Sequence, residues 1–341
     1  MKNTPISLHD QISSNRIRTI FLFTAFPILI LGLSYLGILI ASFFTNTQTR
    51  LSPIQIANEM MGTLGFYVLI GVFIWALFSY FLGSKLMLAF AGAKPIQKSD
   101  HPDLYRSVEN VSIAAGLPKT PEIYIIQDMS LNAFATGNSP KNAKVAISKG
   151  LLEKLSKPEL EAVMAHEVGH ILNRDIRVML IATTFVGAIE MIGETLWRTS
   201  FLRSSSDRNN IGTATFIIGL LFITIGTLIG TLAKLAISRE REFLADATSA
   251  KLTNNPLALV SALKKISQDA RLEVLDKKAS ISGSCIADPS ANGHKNHAKE
   301  LLKLQGASAL GEGSEKKPSL WSRIWSTHPP MSERIAKLQS Y

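Results

Sequence analysis

One short stretch of the sequence places two histidines four residues apart, with a glutamate directly after the first: His166, Glu167 and His170. On a helix the two imidazoles share one face and can reach a single metal ion. Zinc suits the pair, because neutral imidazole is a good zinc ligand and three protein ligands leave one position for water. Zinc lowers the pKa of that water towards about 7, and Glu167 can then take its proton as hydroxide attacks a carbonyl. The pattern predicts metal-dependent hydrolysis, and the alternative is two capping or solvated histidines on a surface helix.

A third metal ligand has to come from elsewhere in the chain. The extended pattern of metzincins needs glycine at position 173 and histidine at position 176, where this chain has Asn173 and Ile176,. A glutamate on a later helix is the other common solution. Glu242 and Asp246 lie one helical turn apart, so Glu242 could bind the metal and Asp246 could hold an imidazole N–H,. The alternative is a charged turn beside a membrane.

The composition indicates that much of the chain lies in a membrane. Of 341 residues 46% are apolar and 18% are charged, against about 25% charged in soluble domains,. The single cysteine, Cys285, excludes an intrachain disulfide and indicates a reducing compartment for the chemistry,. The net charge of +10 suits loops that lie against anionic lipid, so lipid is the expected partner and nucleic acid is not,.

Hydrophobic segments long enough to span a bilayer are the elements that must carry the site. Two lie near the N-terminus, and a softer third segment and a strongly apolar fourth are expected to form a hydrophobic hairpin. The third ends in Glu190 and Glu194, so it is either a span or a re-entrant arm,. The four segments cover residues 21–44, 66–82, 178–197 and 209–233.

The distribution of lysine and arginine predicts the orientation. Three basic residues precede the first segment, one separates the first two, and four follow the second, which places the N-terminus and the region after residue 94 in the cytoplasm,. Arg198, Arg203 and Arg208 run against this rule if segments three and four both cross. Because His166 and Glu242 must share a compartment to share an ion, those two segments must both cross or both not cross.

The remaining chain divides by composition. Residues 1–94 form the N-terminal membrane region, 95–175 a catalytic α+β region and 176–237 the hydrophobic hairpin. Residues 238–276 carry the further ligand, 277–318 read as a flexible insertion and 319–341 as a C-terminal segment,. Within them we expect helices at 101–115, 158–173 and 256–269 and strands at 122–127 and 144–148,.

Three motifs in order, HEVGHILNRD, SREREFLADATSA and THPPMSERI, resemble the HtpX-like membrane zinc metalloproteases, relatives of the CAAX prenyl endopeptidases. The resemblance covers roughly residues 15–270 and 320–341 and is interrupted by the stretch 277–318. It implies a mainly α membrane protein with two N-terminal transmembrane helices, a hydrophobic hairpin and an α+β zincin-like catalytic domain facing the cytoplasm.

The resemblance also implies roles for individual residues. His166, His170 and Glu242 would bind one zinc ion per chain, and Glu167 would be the general base. Other residues would support the metal site or bind substrate: Asp246, Asp175, His328, Arg334 and Asn132. Asn132 begins the string NAFATG, which is expected to form a strand edge that pairs with an extended peptide,.

The function that follows is a zinc endopeptidase of the plasma (inner) membrane that hydrolyses misfolded or damaged membrane proteins. Cleavage of prenylated proteins is less expected, because the chain has fewer hydrophobic segments than the CAAX prenyl endopeptidases. The alternative from another class is a non-proteolytic membrane scaffold or zinc-binding protein, in which Glu167 would be dispensable.

Overall fold

The computed structural model describes residues 8–45, 51–203, 211–236, 239–267, 329 and 331–341. The predicted insertion at 277–318 and His328 lie outside these ranges. The described chain forms two compact units, one of residues 16–82 and 181–232, and one that contains the remaining described residues.

The first unit holds the bulk of four long, apolar helices. They are α1 (Leu8–Thr45), α2 (Pro53–Phe90), α6 (Asp175–Arg203) and α7 (Ile211–Ala236). Each is long and apolar enough to cross a bilayer, which confirms the four predicted hydrophobic segments. Phe26 of α1 stacks on Phe185 of α6 with ring centroids 4.0 Å apart.

The third hydrophobic segment lies within a single continuous helix. Helix α6 has 29 residues, and at 1.5 Å per residue it is about 44 Å long, more than the roughly 30 Å of a hydrocarbon core,. Glu194, near the end of the segment, pairs with Arg198 at 2.5 Å one turn later. The length and continuity of α6 match a membrane span. A charged pair near the end of such a span is tolerated, because the end of the helix can lie at the membrane–water interface.

Helices α6 and α7 approach each other closely through glycines. A Cβ added to Gly219 would lie 2.7 Å from the backbone nitrogen of Trp197, and one added to Gly193 would lie 2.9 Å from the backbone nitrogen of Ile223. Because lipid is as apolar as leucine, helix association in membranes depends on such close van der Waals packing. The predicted hydrophobic hairpin is held together by these contacts.

The second unit contains a four-stranded sheet covered by helices. Its strands are β1 (Ala93–Pro95), β2 (Glu122–Ile126), β3 (Ala133–Thr136) and β4 (Lys144–Ser148), in the order β1-β2-β4-β3. Strands β2 and β4 are parallel, and the outer pairs are antiparallel. The predicted strands 122–127 and 144–148 are confirmed as β2 and β4, and β3 lies at the edge of the sheet.

Helices of this unit pack on the sheet and on one another. They are α3 (Pro102–Ala114), α4 (Lys149–Lys154), α5 (Lys157–Leu172), α8 (Arg239–Thr253), α9 (Pro256–Ile266) and α10 (Met331–Leu338). The predicted helices at 101–115, 158–173 and 256–269 correspond to α3, α5 and α9. Their shared core includes Ile123, Val145, Val163 and Leu259, each at most 1% exposed. This core fixes the position of α5.

The start of α5 is specified by a capping box. Ser156 precedes the helix, and its backbone N–H donates to Glu159 at 2.7 Å. Glu159 also accepts from Lys265 at 2.7 Å and from the hydroxyl of Ser261 at 2.6 Å, both on α9. Although burial opposes it, these hydrogen bonds lower the pKa of Glu159 to about 2. The ionised carboxylate therefore ties the first turn of α5 to α9.

Candidate active site

Helices α5 and α8 cross closely, and this crossing assembles the site. A Cβ added to Gly169 of α5 would lie 3.2 Å from the Cα of Ala245 on α8. The hydroxyl of Ser249 on α8 donates to the carbonyl of Ala162 on α5 at 2.6 Å, which holds the two helices together at a second point. The crossing brings the two histidines of α5 against Glu242 of α8.

Three predicted ligand side chains converge on one point. The Nε2 atoms of His166 and His170 lie 3.2 Å apart. Glu242 lies 3.5 Å from Nε2 of His170 through Oε1 and 3.8 Å from Nε2 of His166 through Oε2. Ligand atoms around one tetrahedral zinc ion, with bonds of about 2.0–2.1 Å, are separated by about 3.3 Å. The donor set and its spacing fit a metal ion, and all three side chains are buried.

The outward-facing nitrogen of each imidazole is held by a carboxylate. Nδ1 of His166 lies 2.9 Å from Oδ1 of Asp246, and Nδ1 of His170 lies 3.0 Å from Oδ2 of Asp175. A carboxylate only accepts hydrogen bonds, so an Nδ1 that faces one carries a proton, and in the neutral ring Nε2 then presents its lone pair to the shared point. Burial lowers the pKa of His166, which favours its neutral form. The structure therefore places both aspartates behind the histidines, and their predicted support of a metal site stays a prediction.

Glu167 lies on the same helix beside the sheet edge. Its side chain is buried and accepts a hydrogen bond from the backbone N–H of Ala135 in β3. Burial, with a further contribution from the negative charge of Glu242, raises the pKa of Glu167 to about 7. A carboxylate with a pKa near neutrality is well suited to accept and return a proton.

Arg334 of α10 is fully buried and contacts Asp246. Its Nε donates to Oδ2 at 2.8 Å and its Nη2 donates to Oδ1 at 2.6 Å. Its Nη1 lies 3.8 Å from Oε2 of Glu242. The guanidinium thus lies behind the ligands and orients the aspartate of His166, while its predicted contact with substrate stays a prediction.

Asn132 is buried and shapes the turn that leads into β3. Its Oδ1 accepts from the backbone N–H of Ala133 at 2.9 Å, and its own backbone N–H donates to the hydroxyl of Ser148 at 3.0 Å. The structure therefore gives Asn132 a part in positioning the edge strand. Its predicted role towards substrate stays a prediction.

Two residues near the site were not predicted. Asn15 of α1 donates from Nδ2 to Oδ1 of Asp175 at 2.7 Å, and Nη1 of Arg241 lies 3.3 Å from the same oxygen. Arg241 adjoins Glu242 in the motif but reads as an ordinary basic residue beside a membrane. Asn15 precedes the first hydrophobic segment by a few residues, and no local pattern connects it with a partner 160 positions away.

The chain is similar to known proteins over most of its length. Residues 98–341 match Peptidase family M48. A protease HtpX homologue from Bacteroides fragilis is 34% identical over 342 residues, covering 98% of this chain and 99% of the relative. Homologues of the same name from Streptococcus pneumoniae and Tropheryma whipplei are 36% and 38% identical, covering 97% and 78% of this chain and 99% and 81% of their own length.

Among solved structures, the crystal structure of S. mikatae Ste24p matches with a TM-score of 0.42 at 19% identity, covering 96% of this chain and 66% of that one. The family match spans more than half of the chain, and the B. fragilis homologue aligns with nearly all of it. The chain belongs to peptidase family M48, as an HtpX-like multi-pass membrane metallopeptidase.

Proposed function

We propose that this chain is a zinc endopeptidase in which His166, His170 and Glu242 bind the metal and Glu167 is the general base. The observation that carries the proposal is the convergence of two buried imidazole nitrogens and a buried carboxylate, at N–N and N–O distances of 3.2–3.8 Å, beside the buried carboxylate of Glu167. Two imidazoles and one carboxylate form the ligand set of many catalytic zinc sites.

The reaction is hydrolysis of a peptide bond. When bound, zinc supplies a Lewis acid that polarises the scissile carbonyl and makes water more acidic. Glu167 accepts a proton from the attacking water as its oxygen bonds to the carbonyl carbon. The same carboxylate then delivers that proton to the amide nitrogen as the C–N bond breaks. Its pKa of about 7 suits both transfers,.

Substrate is expected to bind as an extended peptide along β3. This strand lies at the edge of the sheet, and the backbone N–H of Ala135 in it already contacts Glu167. A peptide that pairs with such an edge gains main-chain hydrogen bonds whatever its side chains are. Unfolded segments of many different sequences could therefore bind along β3, which is the property expected of an enzyme whose substrates are misfolded or damaged membrane proteins.

The expected location is the plasma (inner) membrane, with the catalytic unit on the cytoplasmic side. The excess of lysine and arginine before the first and after the second hydrophobic segment supports this orientation,. Helices α6 and α7 are both long enough to cross, so α5 and α8 emerge on the same side. An even number of crossings is what a shared metal ion requires.

Zinc content and casein cleavage by the full-length protein in detergent test the proposal. The comparison is wild type against Glu242→Ala, with Glu240→Ala as a matched control, because Glu240 is exposed on the same helix. We expect one zinc per chain and cleavage in wild type and in the control, and loss of both in Glu242→Ala. Stoichiometric zinc in Glu242→Ala contradicts the ligand assignment, and zinc without cleavage in wild type supports the zinc-binding alternative.

A further inference from the structure

Asn15, near the start of α1, is a buried polar residue outside the motifs. It is 3% exposed, although it lies on a helix whose neighbouring positions Ser13 and Arg16 are exposed. A buried amide has to satisfy both its donor and its acceptor, because an unpaired polar group in the interior is destabilising. Its partners therefore indicate why it is there.

Both ends of the Asn15 amide are used in one hydrogen-bond network. Nδ2 donates to Oδ1 of Asp175 at 2.7 Å and to the carbonyl of Asn173 at 2.9 Å. Oδ1 accepts from Nη1 of Arg241 at 3.3 Å. The network thus joins α1 to the end of α5, to the start of α6 and to the residue beside the ligand Glu242.

The network reaches the metal site through Asp175. The carboxylate uses Oδ1 for Asn15 and Arg241 and Oδ2 for Nδ1 of His170, at 3.0 Å. Fixing one carboxylate oxygen limits rotation of the group and so fixes the direction of the other. The ring of His170 is held in turn, with its Nε2 directed at Nε2 of His166 and at Glu242,.

We propose that Asn15 is a positioning residue for the metal site, which acts on His170 through Asp175. The inference rests on the proposed zinc site and deepens it, because it makes the N-terminal part of a membrane helix a component of that site. An amide is the suitable group at this position, since it donates to one carboxylate and accepts from a guanidinium at once. Aspartate there would place two carboxylates against each other, and alanine would leave Oδ1 of Asp175 without its 2.7 Å donor.

Zinc affinity of the full-length protein in detergent, measured by chelator competition, tests the proposal. Replacing a residue that orients a ligand typically costs about 10- to 100-fold in metal affinity. We expect Asn15→Ala to weaken zinc binding by about 10-fold and Asn15→Asp to weaken it at least as much. Ser13→Ala, on the exposed face of the same helix, should leave zinc affinity unchanged.

A double-mutant cycle separates positioning from simple loss of folding. If Asn15 acts through Asp175, adding Asn15→Ala to Asp175→Asn should cause little further loss of zinc affinity. The proposal is overturned if Asn15→Ala binds zinc like wild type, or if it weakens binding equally in both backgrounds. Wild-type protein that binds no zinc overturns the proposed function as well, whereas a zinc-binding wild type with an unaffected Asn15→Ala overturns this inference alone.

Discussion

Arg334 donates to both carboxylate oxygens of Asp246, at 2.8 and 2.6 Å, in a fully buried pair. The same aspartate lies 2.9 Å from Nδ1 of His166. The C-terminal helix α10 therefore contributes to the site through a chain of guanidinium, carboxylate and imidazole. Paired hydrogen bonds between arginine and a carboxylate define the direction of both groups, which a single point charge does not.

Removal of this guanidinium should damage both stability and metal binding. Arg334→Ala leaves Asp246 as a buried charge that has lost its main partner, and breaking such a pair costs about 3–5 kcal/mol. Arg334→Lys keeps the charge but not the paired geometry and should be intermediate. Gln339→Ala, an exposed change just beyond the same helix, is the control. Thermal unfolding and zinc affinity are the measurements, and an Arg334→Ala protein as stable as the control would contradict the structural role.

Glu159 should make stability depend on pH. Its pKa is about 2 in the folded protein, below its ordinary value, so its contribution is fully present above about pH 4.5 and is lost as the pH falls towards 2,. One pKa unit corresponds to about 1.4 kcal/mol, which sets an upper limit of about 3 kcal/mol. Glu159→Gln should therefore lower the unfolding temperature at neutral pH.

The difference between Glu159→Gln and wild type should shrink below about pH 4, because the unfolded chain then protonates Glu159 while the folded protein keeps it ionised down to about pH 2,. Glu153→Gln removes a carboxylate from an exposed position on α4 and serves as the control. A constant difference between the Glu159 variant and wild type across this pH range would argue against an ionised cap.

The glycine contacts of the membrane hairpin can be tested by adding side chains. Gly219→Leu inserts atoms where a Cβ already lies 2.7 Å from the backbone of Trp197, and overpacking of this kind costs about 1–3 kcal/mol,. Gly71→Leu in α2 is a matched control, because a Cβ there meets nothing within 4 Å. We expect lower thermal stability in detergent for Gly219→Leu alone, and equal stability of the two variants would refute close packing of α6 and α7.

Features encoded by local sequence were predicted well. The spacing of His166, Glu167 and His170 follows from one helix, and membrane helices follow from the length of apolar runs. Three-residue β1 was missed, since it is too short to show an alternating pattern. The ambiguity of the third hydrophobic segment came from Glu190 and Glu194, although the spacing of Glu194 and Arg198 by four residues already favours an ion pair on a helix, which the structure shows,.

Long-range contacts in the site were harder to predict. Elimination of the metzincin pattern and the family resemblance pointed to Glu242, although its separation from His170 is set by the crossing of α5 and α8. Asn15 carries no sequence signal, because its role depends on a contact with Asp175 across 160 positions. Arg334 was predicted as a site residue, but its partner Asp246 became apparent only from the packing of α10.

The role of Glu167 is tested by zinc content and peptide cleavage of Glu167→Gln. This variant keeps the shape of the side chain but cannot accept the proton, so it should retain one zinc per chain and lose about 100- to 10,000-fold in cleavage rate. Glu161→Gln, on the same helix and half-buried, should resemble wild type in both measurements. Cleavage by purified Glu167→Gln at the wild-type rate would contradict the assignment of Glu167 as the base.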